Sequence, residues 1–509
     1  MRRSTVLSRI PSFIAPRVAN VGLALVMMGT MACGKKGKGT DNPEDGAGAA
    51  STAEVEAAVA KAKQAAKVSE LVRLANEDLA KGRYVSAAKR AEEALASDEA
   101  NADAYAILGA SRWRAGDFVG STEAYEKAVE LDAKNFGAVF GLIRNLQAKG
   151  DHARAIELAD GLLADDKEQV DPRLSKLWSY YALVDADNGV KELDEIFKFL
   201  PAEDPQLPLV QAYAAFLRPL EGKGPFFTID GDKGQMDAGI NHDVGMKYSS
   251  AIIGGEFSRV VFFENVEECI VDKALVETLG LKSVGKITPL GQEAETDIVL
   301  VPEVKFGDLT LKNVPAVVQP LDPYGAAIGE KPGLILGHQA MQAFGSFTFD
   351  YPSNTMTVTK APPAAAPDGA VELPFLLVSM HVLNAPVVPI SIDGSEHSFF
   401  VYFGGVYGSG LAVTRKQYLK SGHLPRELDN PEDETNGLKM VYLEEMDLGG
   451  NKLGGMGGLV FINATPDQNL GMFLENTAFE MGGYINTRLI STWAVTYAPS
   501  SGKVFVKTP

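Results

Sequence analysis

Apolar residues change their period along this chain. From about residue 54 to 220 they recur every three to four positions in a stretch rich in Ala, Leu, Glu and Lys, which predicts amphipathic helices. After about residue 225 the period drops to two. Short runs of Val, Ile, Phe and Thr alternate with Gly, Asp and Asn, the pattern of strands joined by turns. Ahead of both lie a continuous apolar stretch, Val18–Ala32, and the polar residues 34–53.

The helical part is self-similar. Gly82, Gly116 and Gly150 stand 34 residues apart, each placed to close one helix and open a turn. Two residues beyond each is a ring (Tyr84, Phe118, His152). Five beyond is a small residue (Ala87, Ser121, Ala155), as a close helix crossing requires. This spacing resembles the tetratricopeptide repeat, with units 68–101, 102–135 and 136–169 in a helical domain at 54–220. In the second unit Tyr105, Leu108, Gly109, Gly116, Tyr125 and Ala128 stand on that family's pattern positions. Ala75 and Ile143 replace its helix-packing glycine in the other two. Residues 170–220, with Trp178-Ser179-Tyr180-Tyr181, are expected to cap the stack. The resemblance implies a groove lined by the first helix of each pair. It puts Asn76, Trp113, Phe140 and Arg144 there as binding positions, with core packing the competing use of Trp113 and Phe140.

A Pro- and Ala-rich linker at 361–370 divides the β-patterned half into residues 225–360 and 371–509. The two parts repeat one order of features. The first runs from Gly254-Gly255 through Val260–Asn265 and a helical stretch ending Leu279-Gly280-Leu281. It continues to Leu334-Ile335-Leu336-Gly337 and Phe349-Asp350-Tyr351-Pro352. The second runs from Asp393-Gly394 through Phe400–Gly405 to Met481-Gly482-Gly483 and Tyr497-Ala498-Pro499. Phe263 and Phe403 are 140 residues apart, and Gly337 and Gly483 are 146 apart, as a duplication would leave them. This order resembles the retropepsin-like aspartic peptidases of bacterial exported proteins. The resemblance covers about 110 residues in each part and implies a double-lobed, all-β module with few short helices. The expected fold is thus multidomain: all-α repeats, then this module.

Where that family carries Asp-Thr-Gly, this chain has Phe263-Glu264-Asn265 in the first lobe and Phe403-Gly404-Gly405 in the second. Aspartic catalysis needs two carboxylates that share a proton and activate one water. A phenyl ring does neither. Glu264 is one position along, so its side chain should point away from the missing dyad. The second lobe has no acid between Phe399 and Thr414. The leading expectation is therefore a non-catalytic binding protein or scaffold for a protein or peptide. The alternatives are an active aspartic-type endopeptidase, with Asp230, Asp232 or Asp393 reaching the cleft, and a structural assembly protein.

Charge and cysteine usage narrow the class. The net charge of −18 becomes −22 once residues 1–32, with four Arg and no acid, are set aside. That balance disfavours nucleic acid as a partner. Arg2, Arg3, Arg9 and Arg17 precede or open an apolar stretch of 15 residues, which has the size of a signal core rather than of a membrane span. It ends Thr30-Met31-Ala32-Cys33-Gly34, which resembles the bacterial lipoprotein signal, although that family prefers Leu where Thr30 stands. The resemblance implies an export signal at 1–33, acylation of Cys33, a tether at 34–53 and a cell-envelope location. Gly34, where Asp would signal inner-membrane retention, makes an outer-membrane anchor facing the periplasm the expectation. Cys269 is the other cysteine, so no zinc site can be built from thiols. The chain has six His but no His-Glu-x-x-His, no Gly-x-Ser-x-Gly and no phosphate-loop Gly-Lys-Ser/Thr. The acidic run at Asp429–Gly437 lacks calcium-loop spacing. No metal or cofactor is expected.

Overall fold

The computed structural model describes residues 52–241, 246–289, 294–379, 384–395, 398–402, 411–424, 438–461, 481–485 and 487–509. Helix pairs come first: α1 (Thr52–Ala80) with α2 (Tyr84–Leu95), α3 (Ala102–Arg114) with α4 (Phe118–Leu131), and α5 (Phe136–Ala148) with α6 (His152–Asp165). Then follow α7 (Val170–Leu183), α8 (Ala186–Phe199) and α9 (Leu207–Leu217). Gly82, Gly116 and Gly150 close α1, α3 and α5 in the left-handed region, at φ of +72°, +83° and +80°. A side chain there would be strained, which is why the spacing is marked by glycine.

Val184 stands at the next position in that series and takes the same conformation, at φ +52°. Asp185 behind it caps α8 by accepting from the backbone N–H of Asn188, as Asp117 and Asp151 do for Gly120 and Arg154. Helices α7 and α8 are therefore a fourth repeat and not only a cap. Inside the stack the Tyr125 ring fills the space left by Gly109 and Gly141, where any Cβ would overlap it. Ser121 Oγ donates to the Gly109 carbonyl at 2.8 Å, fixing the same crossing.

The first β lobe holds β1 (Thr228–Asp230), β2 (Lys233–Asn241), β3 (Met246–Ile253), β4 (Glu256–Phe262) and β5 (Cys269–Asp272). It continues with α10 (Lys273–Leu279), β6 (Ser283–Ile287), β7 (Thr296–Phe306), β8 (Leu309–Gln319) and α11 (Asp322–Ile328). It ends with β9 (Leu334–Leu336), α12 (His338–Met341), β10 (Ser346–Asp350) and β11 (Thr355–Thr359). The second lobe opens with β12 (Val371–Pro374), β13 (Leu376–Ser379), β14 (Asn384–Ile392), β15 (Ser398–Tyr402) and β16 (Leu411–Thr414). After α13 (Arg415–Lys420) come β17 (Leu438–Leu448), β18 (Asn451–Phe461) and β19 (Gly483–Ile485). Last are α14 (Thr487–Ile490), β20 (Ala494–Ala498) and β21 (Lys503–Lys507).

The two lobes have matching topology. In the first, β4 runs parallel to β9 and β5 parallel to β8, and β3 pairing with β7 closes the sheet. In the second, β15 runs parallel to β19 and β16 to β18, with β14 and β17 closing it. Barrel closure leaves each lobe few open edges.

The lobes are also joined. Strands β2, β11, β10, β20, β21 and β12 form one antiparallel sheet, half from each lobe, with Thr348 opposite Thr496 at the β10–β20 junction. Their hydroxyls lie 2.8 Å apart, and Phe347 stacks on Tyr497 at 4.9 Å beside them. One apolar core runs from Leu177, Leu193 and Phe216 of the last helices through Phe262 and Phe306 of lobe one to Val495 and Val506 of lobe two.

Candidate functional site

The loop between β4 and β5 stands where the peptidase resemblance places catalysis. Strand alternation decides its environment. Val260 and Phe262 point into the barrel core and are fully buried, while Val261 points to the opposite face. There Val261, Ile335 and Leu321 form a second buried cluster, and Phe263, Tyr248, Val266 and Tyr324 pack half-buried against it. The Phe263 N–H donates to the Leu336 carbonyl at 3.1 Å, which ties the loop to β9. The position therefore holds an apolar ring on an apolar floor.

Glu264 points the other way, as its place one residue along requires. Only 3 % exposed, it pairs with Lys247 of β3, itself 2 % exposed. The ammonium lies 5.0 Å from the ring centroid of Tyr497 and 5.9 Å from that of Phe349, both strands of the shared sheet. Burial pulls the Lys247 pKa down and the Glu264 charge opposes that pull. This carboxylate is committed to structure.

Asn265 faces lobe two. Its Nδ2 donates to the Asn384 carbonyl at 2.8 Å and its carbonyl accepts the Asn384 N–H at 3.0 Å. Asn384 Nδ2 in turn donates to Glu267 Oε1 at 2.7 Å. Gly337 is required beneath this loop, since a Cβ there would overlap the carbonyl oxygens of Glu267 and Glu268. The N–H groups of His338 and Gln339 donate to the carbonyls of Val266 and Glu267 at 2.8 and 3.1 Å.

The helical domain grips the far end of the loop. Tyr181 of α7 donates its hydroxyl to Glu268, and Gln339 Nε2 donates to the Tyr181 carbonyl at 2.8 Å. Burial pushes the Glu267 carboxyl up to about 8 and raises that of Glu268. His338 is buried beside His152 of α6, and burial pulls these imidazoles down to about 3 and about 4. Cys269 is buried, with its thiol pushed up to about 12, and is inert at neutral pH.

The other sequence-derived positions fall as follows. Trp113 is 2 % exposed, edge-on to Phe118 at 4.5 Å, and the Arg144 guanidinium lies over it at 3.9 Å. The ring is core, which corrects its expected place on the groove. Helical spacing alone marks both uses. Arg144 has Nε and Nη2 buried without a hydrogen-bond partner, and burial lowers its pKa. Phe140 is half-buried against Phe136 at 4.5 Å, and Asn76 is half-buried on α1. Phe403, Gly404, Gly405 and Cys33 lie outside the described residues.

None of the alternative acids reaches the loop. Asp230 is exposed and paired with Lys312, and Asp232 is exposed on a turn whose carbonyl accepts from Lys360. Asp393 sits in the β14–β15 turn at φ +49°, bonded to His423 at 2.8 Å and to the Glu445 N–H at 2.7 Å. Among the described residues no three metal-ligating side chains cluster, and no helix is long and apolar enough to cross a membrane. Lys247, Asn384, Tyr181, Glu267 and Glu268 were not legible as site residues in advance. The one available signal was a lysine inside an otherwise apolar strand pattern.

A family model described as Aspartyl protease matches residues 266–340, starting directly after Phe263-Glu264-Asn265. No curated protein matches the chain. Among solved structures, a tetratricopeptide repeat protein from Parabacteroides merdae is 19 % identical over 30 % of this chain and 60 % of its own, with a TM-score of 0.27. MamA from Desulfovibrio magneticus RS-1 is 13 % identical over 30 % of this chain and 84 % of its own, at 0.27. A retropepsin-like aspartic protease from Rickettsia conorii is 17 % identical over 26 % of this chain and 96 % of its own, at 0.20. These are likenesses: the helical repeats are similar to tetratricopeptide repeat proteins, and residues 266–340 of the β module to aspartyl proteases.

Proposed function

We propose that this protein is a non-catalytic binding lipoprotein of the cell envelope, a pseudopeptidase that holds a protein or peptide. The observation that carries the reading is Phe263. By the peptidase resemblance it stands at the first lobe's catalytic position, and it lies on an apolar floor while the neighbouring Glu264 is paired with Lys247. A site built this way cannot polarise a water; what the peptidase resemblance leaves between the two lobes is a cleft for binding. Extended peptides suit such clefts because strand-like backbone pairing needs no particular side chain. The helical repeats supply a second protein-binding surface.

Two measurements test this. Purified protein incubated with casein and with a proteome-derived peptide library from pH 3 to 8 should cleave nothing and retain a subset of peptides. Pepstatin-sensitive cleavage would establish the endopeptidase alternative, and absence of any retained peptide would leave only the assembly role. For location, acylation of Cys33 and an outer-membrane anchor facing the periplasm are proposed from the N-terminal residues. Radiolabelled palmitate should enter the wild type and not Cys33→Ala, and it should fractionate with the outer membrane.

A further inference from the structure

The two lobes match residue by residue along one hairpin each. Where the first barrel closes, Val304 of β7 meets Ile253 of β3, and where the second closes, Met446 of β17 meets Ile392 of β14. Counting back from those closures, Ile298 and Leu300 of β7 stand where Met440 and Tyr442 of β17 stand. Their cross-strand partners match too: Val317 and Pro315 of β8 in one hairpin, Leu459 and Gly457 of β18 in the other. The barrel interiors agree, with Val301 and Leu443 both buried. The outer faces do not. Ile298 is fully buried and Leu300 half-buried, whereas Met440 is 67 % exposed and Tyr442 66 %.

The lobe-one face is covered by the end of the helical domain. Pro219, in the 3-10 turn Arg218–Leu220 that follows α9, lies so close over Gly285 of β6 that a Cβ there would overlap it. Gly285 is directly opposite Ile298, and opposed residues share a face of a sheet, so Pro219 sits on the side to which Ile298 points. Leu217 and Leu220 join Ile298 in one apolar core. The chain then crosses to β8, where Asn313 Nδ2 donates to the Lys223 and Pro225 carbonyls at 3.0 and 2.8 Å. On lobe two the Tyr442 hydroxyl reaches over Gly455 and the Met440 methyl lies beside Gly457, which leaves a flat apolar patch. Patches of this kind mark interaction sites.

We infer that the outer face of β17 and β18 docks another protein through a helix end of the same chemistry as α9 and its turn: short, apolar and closed by proline. Lobe one shows what this face of the barrel accepts. The chain's own α9 is held there, and a second copy's α9 is held by its own first lobe, so the helix comes from a different protein. Glu444 is exposed beside the patch and Lys452 pairs with Glu445 at 2.9 Å, so charges of both signs rim it. It therefore selects by apolar shape and not by charge. Met and Tyr in place of Ile and Leu suit a reversible contact. Met adapts its shape to what it meets, and a phenol is at home half in water. None of these residues belongs to the floor around Phe263 or to the helical groove, so this surface stands whether or not those bind.

The probe is a fluorescein-labelled peptide of this chain's own residues 204–227, stapled to hold the helix and titrated into the full chain. Its anisotropy should saturate, and Met440→Lys combined with Tyr442→Lys should weaken binding roughly tenfold or more. Both side chains are exposed, so circular dichroism and Tm should stay at wild-type values. If that pair fails to fold, Met440→Ser with Tyr442→Ser takes its place. Absence of saturable binding overturns the inference. So does equal binding by the double variant, which would mean that the peptide displaces α9 from lobe one. A second arm uses Tyr442→p-benzoylphenylalanine in cells that produce the protein. Ultraviolet light should give an adduct that mass spectrometry maps to an apolar helical segment of another protein. Adducts only to lipid or to a second copy of this chain would overturn the choice of occupant.

Discussion

Replacing Lys247 with methionine keeps the stem that fills the space above Phe349 and Tyr497 and removes the ammonium. Glu264 is then left 3 % exposed with no cation beside it. Removing one partner of a buried pair costs about 3–5 kcal/mol, because the remaining charge must be neutralised or solvated. For a domain of this size that is roughly a 10 °C fall in Tm. The unpaired carboxyl should have a raised pKa in the folded state. Its folded form is then favoured at low pH and loses stability as pH rises, so Lys247→Met should be less impaired at pH 5 than at pH 7.5. Adding Glu264→Leu removes the stranded charge and should bring stability to within about 1 kcal/mol of wild type or above it. Urea unfolding followed by fluorescence, at both pH values and on all three proteins, measures each quantity. A single variant within about 1 kcal/mol of wild type, or a double variant as unstable as the single, would refute the reasoning.

Three further outcomes are expected. Gly337→Ala drives a Cβ into the carbonyls of Glu267 and Glu268 and should cost about 3 kcal/mol or more, seen as a lower calorimetric Tm together with a changed Trp178 emission. Val504→Ile places one methylene in the apolar cavity of about 30 Å³ lined by Leu373, Val388, Trp493 and Val495, and should raise stability by about 1 kcal/mol in urea titration. Phe263→Asp restores a carboxyl at the lobe-one position but sets it against Val261, Leu321 and Ile335. It should destabilise by about 3 kcal/mol at pH 7, recover towards pH 4 and show no casein cleavage.

Local signals in the sequence carried most of the architecture. Glycines that must adopt positive φ announce themselves by identity, so the 34-residue period was visible at Gly82, Gly116 and Gly150 and lost at Val184, where the same turn is made by a residue that does not advertise it. The lobe order was legible because Leu-Gly-Leu and Ile-Leu-Gly are local backbone requirements, and Glu264 could be turned away from the dyad position by strand alternation alone. The β10–β20 pairing was not legible, since it sets residues nearly 150 positions apart in register. The same holds for Asn384 on Glu267 and Tyr181 on Glu268, whose partners come from other domains. Trp113 stood between groove and core, because a ring at helical spacing serves both alike, and it is buried against Phe118.

The shared six-stranded sheet makes one polypeptide do what two identical subunits would otherwise do. A symmetric pair must carry every substitution twice, and a buried lysine would then meet its own copy near the axis. Here β14 opens Asn384-Ala385-Pro386-Val387 where β3 opens Met246-Lys247-Tyr248-Ser249, so the Lys247–Glu264 pair exists on one side only. Covalent continuity has thereby released the halves to specialise. Both halves meet the helices, but through different elements: Gln339 of the first bonds to Tyr181 of α7, while β13 and Pro499 of the second lie against α5 and Gly150.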